Sequence, residues 1–448
     1  MIRSRLNSLL AIVLFLLAAP VLAQQQPSVS RDIDPAIARV IATTPAIDNH
    51  AHPMLSPPDD AADRNFDALP VDNMAPQTDP VAWRADWPAQ HDAWLALYGF
   101  NGTPPLTPEQ SKQLDDARAR VKAREGARYS QYILDKSGIG IMLANRVSMG
   151  SGVQRPHFLW VPYDDALLFP LDNAALADTP DRAQFFPLEE KVFATYMKAA
   201  GLTKIPASLD EYIAKVVLPT LHRQKEDGAV AVKFELAYLR TLDIGNPTRA
   251  QAAEAYARFV VRGKVTAVEY KALQDYLFRI IAAECGKFGL AVHFHGMSGG
   301  GRYFSIAGVN PLNLEPLFND PALKDTNFVM LHGGWPFVHE AGSLLQKPNV
   351  YLDISQQALS IPARTLSTWL REWLELYPEK VLFATDGYPF SASLGWEEST
   401  WLAARNAREA LGLALTGMER DGEISPARAA ELAHMVLHDN AVALYHLN

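Results

Sequence analysis

Five of the chain's 12 histidines stand at or near the ends of short apolar runs: His50, His52, His293, His295 and His332. On extended backbone, residues two apart point the same way. His50-Ala51-His52 would therefore aim two imidazoles from one strand at a common point. Imidazole suits zinc, manganese or iron, and two on one strand fix two coordination positions together. His293-Phe294-His295 repeats the spacing. Of that pair, His295 is the favoured third ligand, because it lies nearer the strand end and just before Gly296 and Gly299-Gly300-Gly301. His293 is the alternative, either as a ligand or as a hydrogen-bonded core histidine. Asp386 follows the run Val381–Thr385. A carboxylate there can ligate a divalent ion, take the proton of a water that the ion brings to a pKa of about 7, or do both in turn.

His332, in Leu331-His332-Gly333-Gly334-Trp335, fits catalysis or substrate polarisation better than obligatory ligation. Its side chain changes protonation near neutrality, and two glycines let a substrate approach the backbone. Lys233 and Glu235 face one way by the period of two. The lysine can become a carbamate between two metals, stay a cation beside one, or pair with a pocket acid. Those three readings stay open. Arg240 and Arg302 sit on loops where a forked guanidinium could hold a substrate carboxylate, with ordinary surface charge as the alternative. The single cysteine, Cys285, rules out an intramolecular disulfide framework and a thiolate zinc knuckle, so histidine and carboxylate must supply any metal site.

Positioning these groups requires strands that end at a common rim. Eight runs qualify: Ala46–His52, Ile139–Asn145, Phe158–Val161, Ala229–Leu236, Leu290–His295, Asn327–His332, Val350–Ile354 and Val381–Thr385. Several are continuously apolar, as parallel strands covered on both faces are. Leu273, Leu277, Ile280 and Ile281 mark one intervening helix, and Leu366, Leu370, Trp373 and Leu374 mark another. Strands alternating with helices predict a (β/α)8 TIM barrel. An open doubly wound sheet would want a Gly-rich loop after the first strand, and none is present. Residues 54–130 and 162–225 exceed the minimal unit and predict helical insertions after strands 1 and 3, as lids or pocket walls. The spacing of Trp83, Trp87 and Trp94 predicts burial in a helix–barrel seam, with the pocket or a subunit contact as alternatives. Ser425-Pro426 opens a closing helix.

The basic head Arg3 and Arg5, the apolar run Leu9–Ala19 and the sequence Val21-Leu22-Ala23 form the pattern of a secretory signal peptide. The expected layout is a leader over 1–23 cut after Ala23, a lead-in over 24–43 that is loose through Ala36, and a barrel over 44–448. The product would be exported to the periplasm with no membrane attachment. At 48% apolar and 20% charged, the chain is neither disordered nor fibrous. A formal charge of −9 without a block of like charges leaves no case for a nucleic-acid partner. A small-molecule substrate is expected, with self-association into a homo-oligomer left open.

With these residues in place, the chain resembles the amidohydrolase superfamily, in its amidohydrolase-related (amidohydrolase 2) group. Ile47–Pro53 is similar to that group's opening strand and Phe383–Asp386 to its closing one. Val329–Gly334, Asn349–Asp353 and the tail Leu437–Tyr445 resemble later elements. The run from Lys233 through Tyr238 to Arg240, and the loop from Gly296 through Arg302 to Leu312, resemble the amidohydrolase domain of fungal FluG and plant nodulin-like proteins. The resemblance implies a metal-dependent hydrolase of amide or related C–N bonds. It implies His50, His52, His295 and Asp386 as ligands and His332 as a catalytic group, and in the expected mechanism His332 stabilises the oxyanion. Tyr238 and Trp335 join Arg240 and Arg302 as expected substrate contacts. Zn2+ is the expected ion, with Mn2+ or Fe2+ as alternatives. A non-oxidative decarboxylase is the second reading, and a binding protein on an inactive barrel the third.

Overall fold

Runs that are apolar on both faces pair edge to edge in parallel and are covered by helices, as such strands must be. The computed structural model describes residues 32–56, 63–70 and 79–447. Its strands are β1 Ala46–Ala51, β2 Ile139–Asn145, β3 Phe158–Val161, β4 Ala231–Phe234, β5 Ala291–His295, β6 Phe328–Leu331, β7 Val350–Asp353 and β8 Val381–Leu382. Regular ladders join β1-β2-β3 and β4-β5-β6-β7-β8. Two seams close them into one barrel. Between β3 and β4, the N–H groups of Val230 and Lys233 donate to the carbonyls of Trp160 (3.1 Å) and Pro162 (2.7 Å). Between β8 and β1, Asn49 N–H reaches the Phe383 carbonyl at 3.0 Å and Asp386 N–H reaches that of His50 at 2.8 Å. The expected (β/α)8 barrel is the fold.

The helix Ala267–Phe288 starts with a capping box between Thr266 and Glu269, stops at Gly289 and buries Leu273, Leu277 and Ile281. The helix Ala363–Leu376 buries Leu366, Leu370, Trp373 and Leu374. Ser425 caps the helix Pro426–His434. Asn440–Tyr445 then closes the barrel floor, where Ala441, Leu444 and Tyr445 pack with Ile47, Leu143, Val329 and Leu382.

Helices do extend the connections after β1 (Gln90–Tyr98, Pro108–Glu125) and after β3 (Pro180–Ala199). A further helix, Arg249–Arg262, enlarges the one after β4. Trp94 is fully buried and its indole N–H reaches the Ser393 carbonyl at 2.8 Å, a seam position. The expected leader lies outside the described residues. The lead-in is firmer than expected: Asp34 caps a helix over Pro35–Thr43, and Ile33, Ile37 and Ile41 are buried. Among the described residues, no helix is long and apolar enough to cross a membrane.

Candidate metal centre

The rim is assembled where the first strand meets the last. Asp48, fully buried in β1, accepts from the backbone N–H of Thr385 at 2.9 Å and from its hydroxyl. His52 N–H then reaches the Gly387 carbonyl at 2.8 Å. Between these anchors Asp386 adopts φ +56°, in the sparsely populated left-handed region, which turns its side chain back over the barrel mouth. His50 Nε2 lies 3.2 Å from Asp386 Oδ1, His52 Nε2 lies 3.4 Å from the same oxygen, and the two Nε2 atoms are 3.3 Å apart.

That triangle suits a cation. Three ligands about 2.1 Å from a shared ion at tetrahedral angles stand about 3.4 Å apart. Burial, then the charge of Lys233, holds His50 well below the usual imidazole range, so its ring is a neutral donor. Burial pushes the Asp386 carboxyl up, but its pairing with His332 and its hydrogen bonds with His50 and His52 outweigh it, and the group stays well below the carboxylate range. His52 turns Nδ1 outward to the Tyr163 hydroxyl at 3.0 Å and to Asp67 at 3.5 Å. An oxygen partner behind a ligating imidazole sets its ring orientation and raises its basicity.

His295 and His332 form a second pair beside the triangle. His332 Nε2 and His295 Nδ1 are 3.1 Å apart, and Tyr238 leans over His295 with ring centres 4.6 Å apart. Burial, then Lys233, pushes His295 down to about 3. Among the described residues, the potential ligand atoms within 4.8 Å of one another belong to His50, His52 and Asp386, so His295 stands outside that set. Lys233 is wholly buried, and its Nζ has no hydrogen-bond partner among the described residues. Burial lowers its pKa, against the opposing charges of Glu235 and Asp386. Glu235 is pushed well up by burial and by the charge of Asp67.

These groups line a cavity together with Asp67, Gln356, Tyr388 and Gly300. Trp83 and Phe390, stacked with centres 4.9 Å apart, form an aromatic wall, and the Trp83 indole N–H is held by the Ser360 hydroxyl at 3.1 Å. So the cavity gathers His50, His52, His295, His332, Asp386, Lys233 and Tyr238, as expected.

Three expected contacts are corrected, and of the two readings of His293 the structure shows the hydrogen-bonded core histidine. His293 lies one inward step deeper than His295, level with Lys233 in the ladder, and its Nε2 meets the Tyr445 hydroxyl at 2.8 Å beneath the cavity. Arg240 is spent on structure: it pairs with Asp275 at 2.7 Å and donates to Gln274 at 3.0 Å. Arg302 is exposed, and Trp335 is half-buried where the chain leaves the barrel; neither lines the cavity. Asp67, Gln356, Tyr388 and Phe390 were missed. Tyr388 and Phe390 carried a signal, two aromatics at short spacing after Asp386. Asp67, one of several acids in an irregular stretch, carried none.

A closed parallel barrel with imidazole and carboxylate donors gathered over one end suits a barrel enzyme that holds a metal ion. A family model described as Amidohydrolase matches residues 206–447, more than half of the chain, and the protein belongs to that family. The FluG protein of Emericella nidulans is 30% identical over 237 residues, covering 50% of this chain and 26% of FluG, so the match spans about a quarter of that protein. Among solved structures, glucuronate isomerase from Caulobacter crescentus aligns with a TM-score of 0.58 at 16% identity, covering 93% of this chain and 96% of that one. Uronate isomerase from Thermotoga maritima aligns at 0.55 and 14% identity, covering 92% and 98%. These two likenesses speak for the fold alone.

Proposed function

We propose that the protein hydrolyses an amide or related C–N bond of a small molecule, using a divalent ion, Zn2+ first, held by His50, His52 and Asp386. The observation that carries this reading is the triangle of donor atoms with edges of 3.2–3.4 Å in a family of metal-dependent hydrolases. Bound there, the ion would supply Lewis-acid polarisation of a carbonyl and a water acidified to near neutrality.

The chain's own residues divide the remaining tasks. Asp386 is ionised and presents a second oxygen toward His332 Nδ1, 4.0 Å away, so it can take up a proton and deliver it to a leaving nitrogen. Trp83, Phe390 and Tyr238 shield the mouth from water and offer flat apolar surface to the substrate. With Arg240 and Arg302 placed elsewhere, Lys233 is the cation on the cavity wall. Export to the periplasm belongs to the same reading and is supported by the leader pattern of residues 3–23.

The test is a panel of N-acylated amines, N-acyl amino acids and aromatic acids, with amine and carbon dioxide both monitored. Metal-dependent amine release that disappears in Asp386→Asn supports the proposal. Carbon dioxide without amine would replace it with the decarboxylase reading, and turnover that survives metal removal would end it.

A further inference from the structure

We infer that Ser355 is a positioning residue: with Asp353 it fixes His332 as the tautomer protonated on Nδ1, leaving the Nε2 lone pair turned toward His295. The hydrolase reading only gives that lone pair a task; the tautomer follows from hydrogen-bond directions.

Asp353 ends β7 and is fully buried. Its Oδ2 accepts from Asn49 Nδ2 at 2.7 Å. Its Oδ1 accepts from the backbone N–H of His332 at 2.8 Å, from that of Ser355 at 3.1 Å, and from the Ser355 hydroxyl. Burial pushes its carboxyl up to about 6, so at pH 7.5 it is a carboxylate that only accepts. The one hydrogen of the Ser355 hydroxyl therefore points at Asp353. That oxygen also accepts from the His332 backbone N–H at 3.2 Å, and its third neighbour is His332 Nδ1, at 2.8 Å, toward which Ser355 can only accept. His332 must carry its hydrogen on Nδ1. A neutral imidazole that carries its hydrogen on Nδ1 has a bare Nε2.

Two further observations agree. His332 Nε2 faces His295 Nδ1 at 3.1 Å, and without an intervening ion that contact needs a hydrogen from His295. His295 then has its own Nε2 bare, and that atom has no partner among the described residues. On the other arm, Asn49 donates through Nδ2, so its Oδ1 takes the Tyr445 hydroxyl hydrogen, and the Tyr445 oxygen accepts from His293 Nε2 at 2.8 Å. That leaves His293 Nδ1 bare, and it too is unpartnered. Hydrogens from both arms run toward Asp353.

The consequence is a correction of role. A neutral His332 with a bare Nε2 can only accept there, and without an ion it accepts from His295, so a proton or hydrogen bond from substrate would take the place of that contact. It does not donate to an oxyanion, the role expected of it from the sequence.

Long-range proton–nitrogen NMR on 15N-histidine-labelled full-length protein tests this directly, on the sample as purified and loaded with Zn2+, at pH 7.5. The His332 signals are assigned by their loss in His332→Gln. The expected pattern is Nδ1-protonated in wild type and in Ser355→Thr, with a shift toward Nε2-protonated in Ser355→Ala. An Nε2-protonated pattern in wild type, or no change in folded Ser355→Ala, overturns the inference. Because the wild-type pattern needs neither a variant nor a substrate, an Nδ1-protonated His332 in a protein that releases no amine would sink the hydrolase reading alone.

Discussion

The backbone N–H of Asp386 donates to the carbonyl oxygen of His50 at 2.8 Å, so the last strand is tied to the first at the residues whose side chains form the donor triangle. Main-chain pairing thus sets the spacing of two donor side chains that are 336 positions apart in sequence. A site built this way tolerates little movement of either strand end.

Asp67 should act through His52. It lies 3.5 Å from His52 Nδ1, behind the face turned to the triangle. Asp67→Ala is expected to weaken Zn2+ binding by about 10- to 100-fold while leaving the fold intact. Competition against a chromogenic chelator measures this, and unchanged affinity would remove Asp67 from the site.

Gly387 has no room for a side chain. A Cβ there would collide with the Thr400 hydroxyl, which is fully buried. Gly387→Ala is expected to cost about 1–3 kcal/mol and to disturb Asp386 next door. Thr400→Ala in the same chain should recover much of that loss. Urea unfolding of the two single variants and the double variant would expose additivity, the outcome that contradicts the contact.

The buried His293 gives a signed pH dependence. Burial, then Lys233, pushes it down to about 3, against an ordinary 6.5. Its contribution to stability is complete above about pH 6.5 and drains away as pH falls toward 3, at up to about 1.4 kcal/mol per pH unit. His293→Gln should therefore flatten the stability profile between pH 4 and 6. Parallel profiles for wild type and variant would contradict this.

Arg240→Ala should lower stability rather than substrate affinity. It removes the partner of Asp275 Oδ1, which Arg240 meets at 2.7 Å, and leaves this buried carboxylate with Lys271 and the Gly245 N–H on Oδ2. An expected loss of about 1–3 kcal/mol in thermal or urea unfolding, with KM unchanged for any substrate found, distinguishes this from a carboxylate clamp.

Much of the barrel was legible because its signals are local. Continuous apolar runs marked β2 and β3 at their true limits, Ile139–Asn145 and Phe158–Val161. The last strand was drawn too long: beyond Leu382 the chain leaves the β7 ladder and bonds β1 instead, through Phe383 and Thr385. The periodicity of one segment cannot show that switch of partner. His50, His52, His295 and Asp386 were visible as chemistry at strand ends. Arg240 was misread because its partner Asp275 sits on a helix 35 residues later, and only packing brings them together. The role of His332 depends on Ser355, 23 residues on, for the same reason.

Elemental analysis of the purified protein, repeated on His50→Ala and Asp386→Asn, tests the triangle most directly. The expected result is at least one equivalent of a divalent ion per wild-type chain and its loss in both variants, with near-native circular dichroism throughout. A folded wild-type protein that takes up no divalent ion, or variants that keep a full equivalent, would contradict the metal centre.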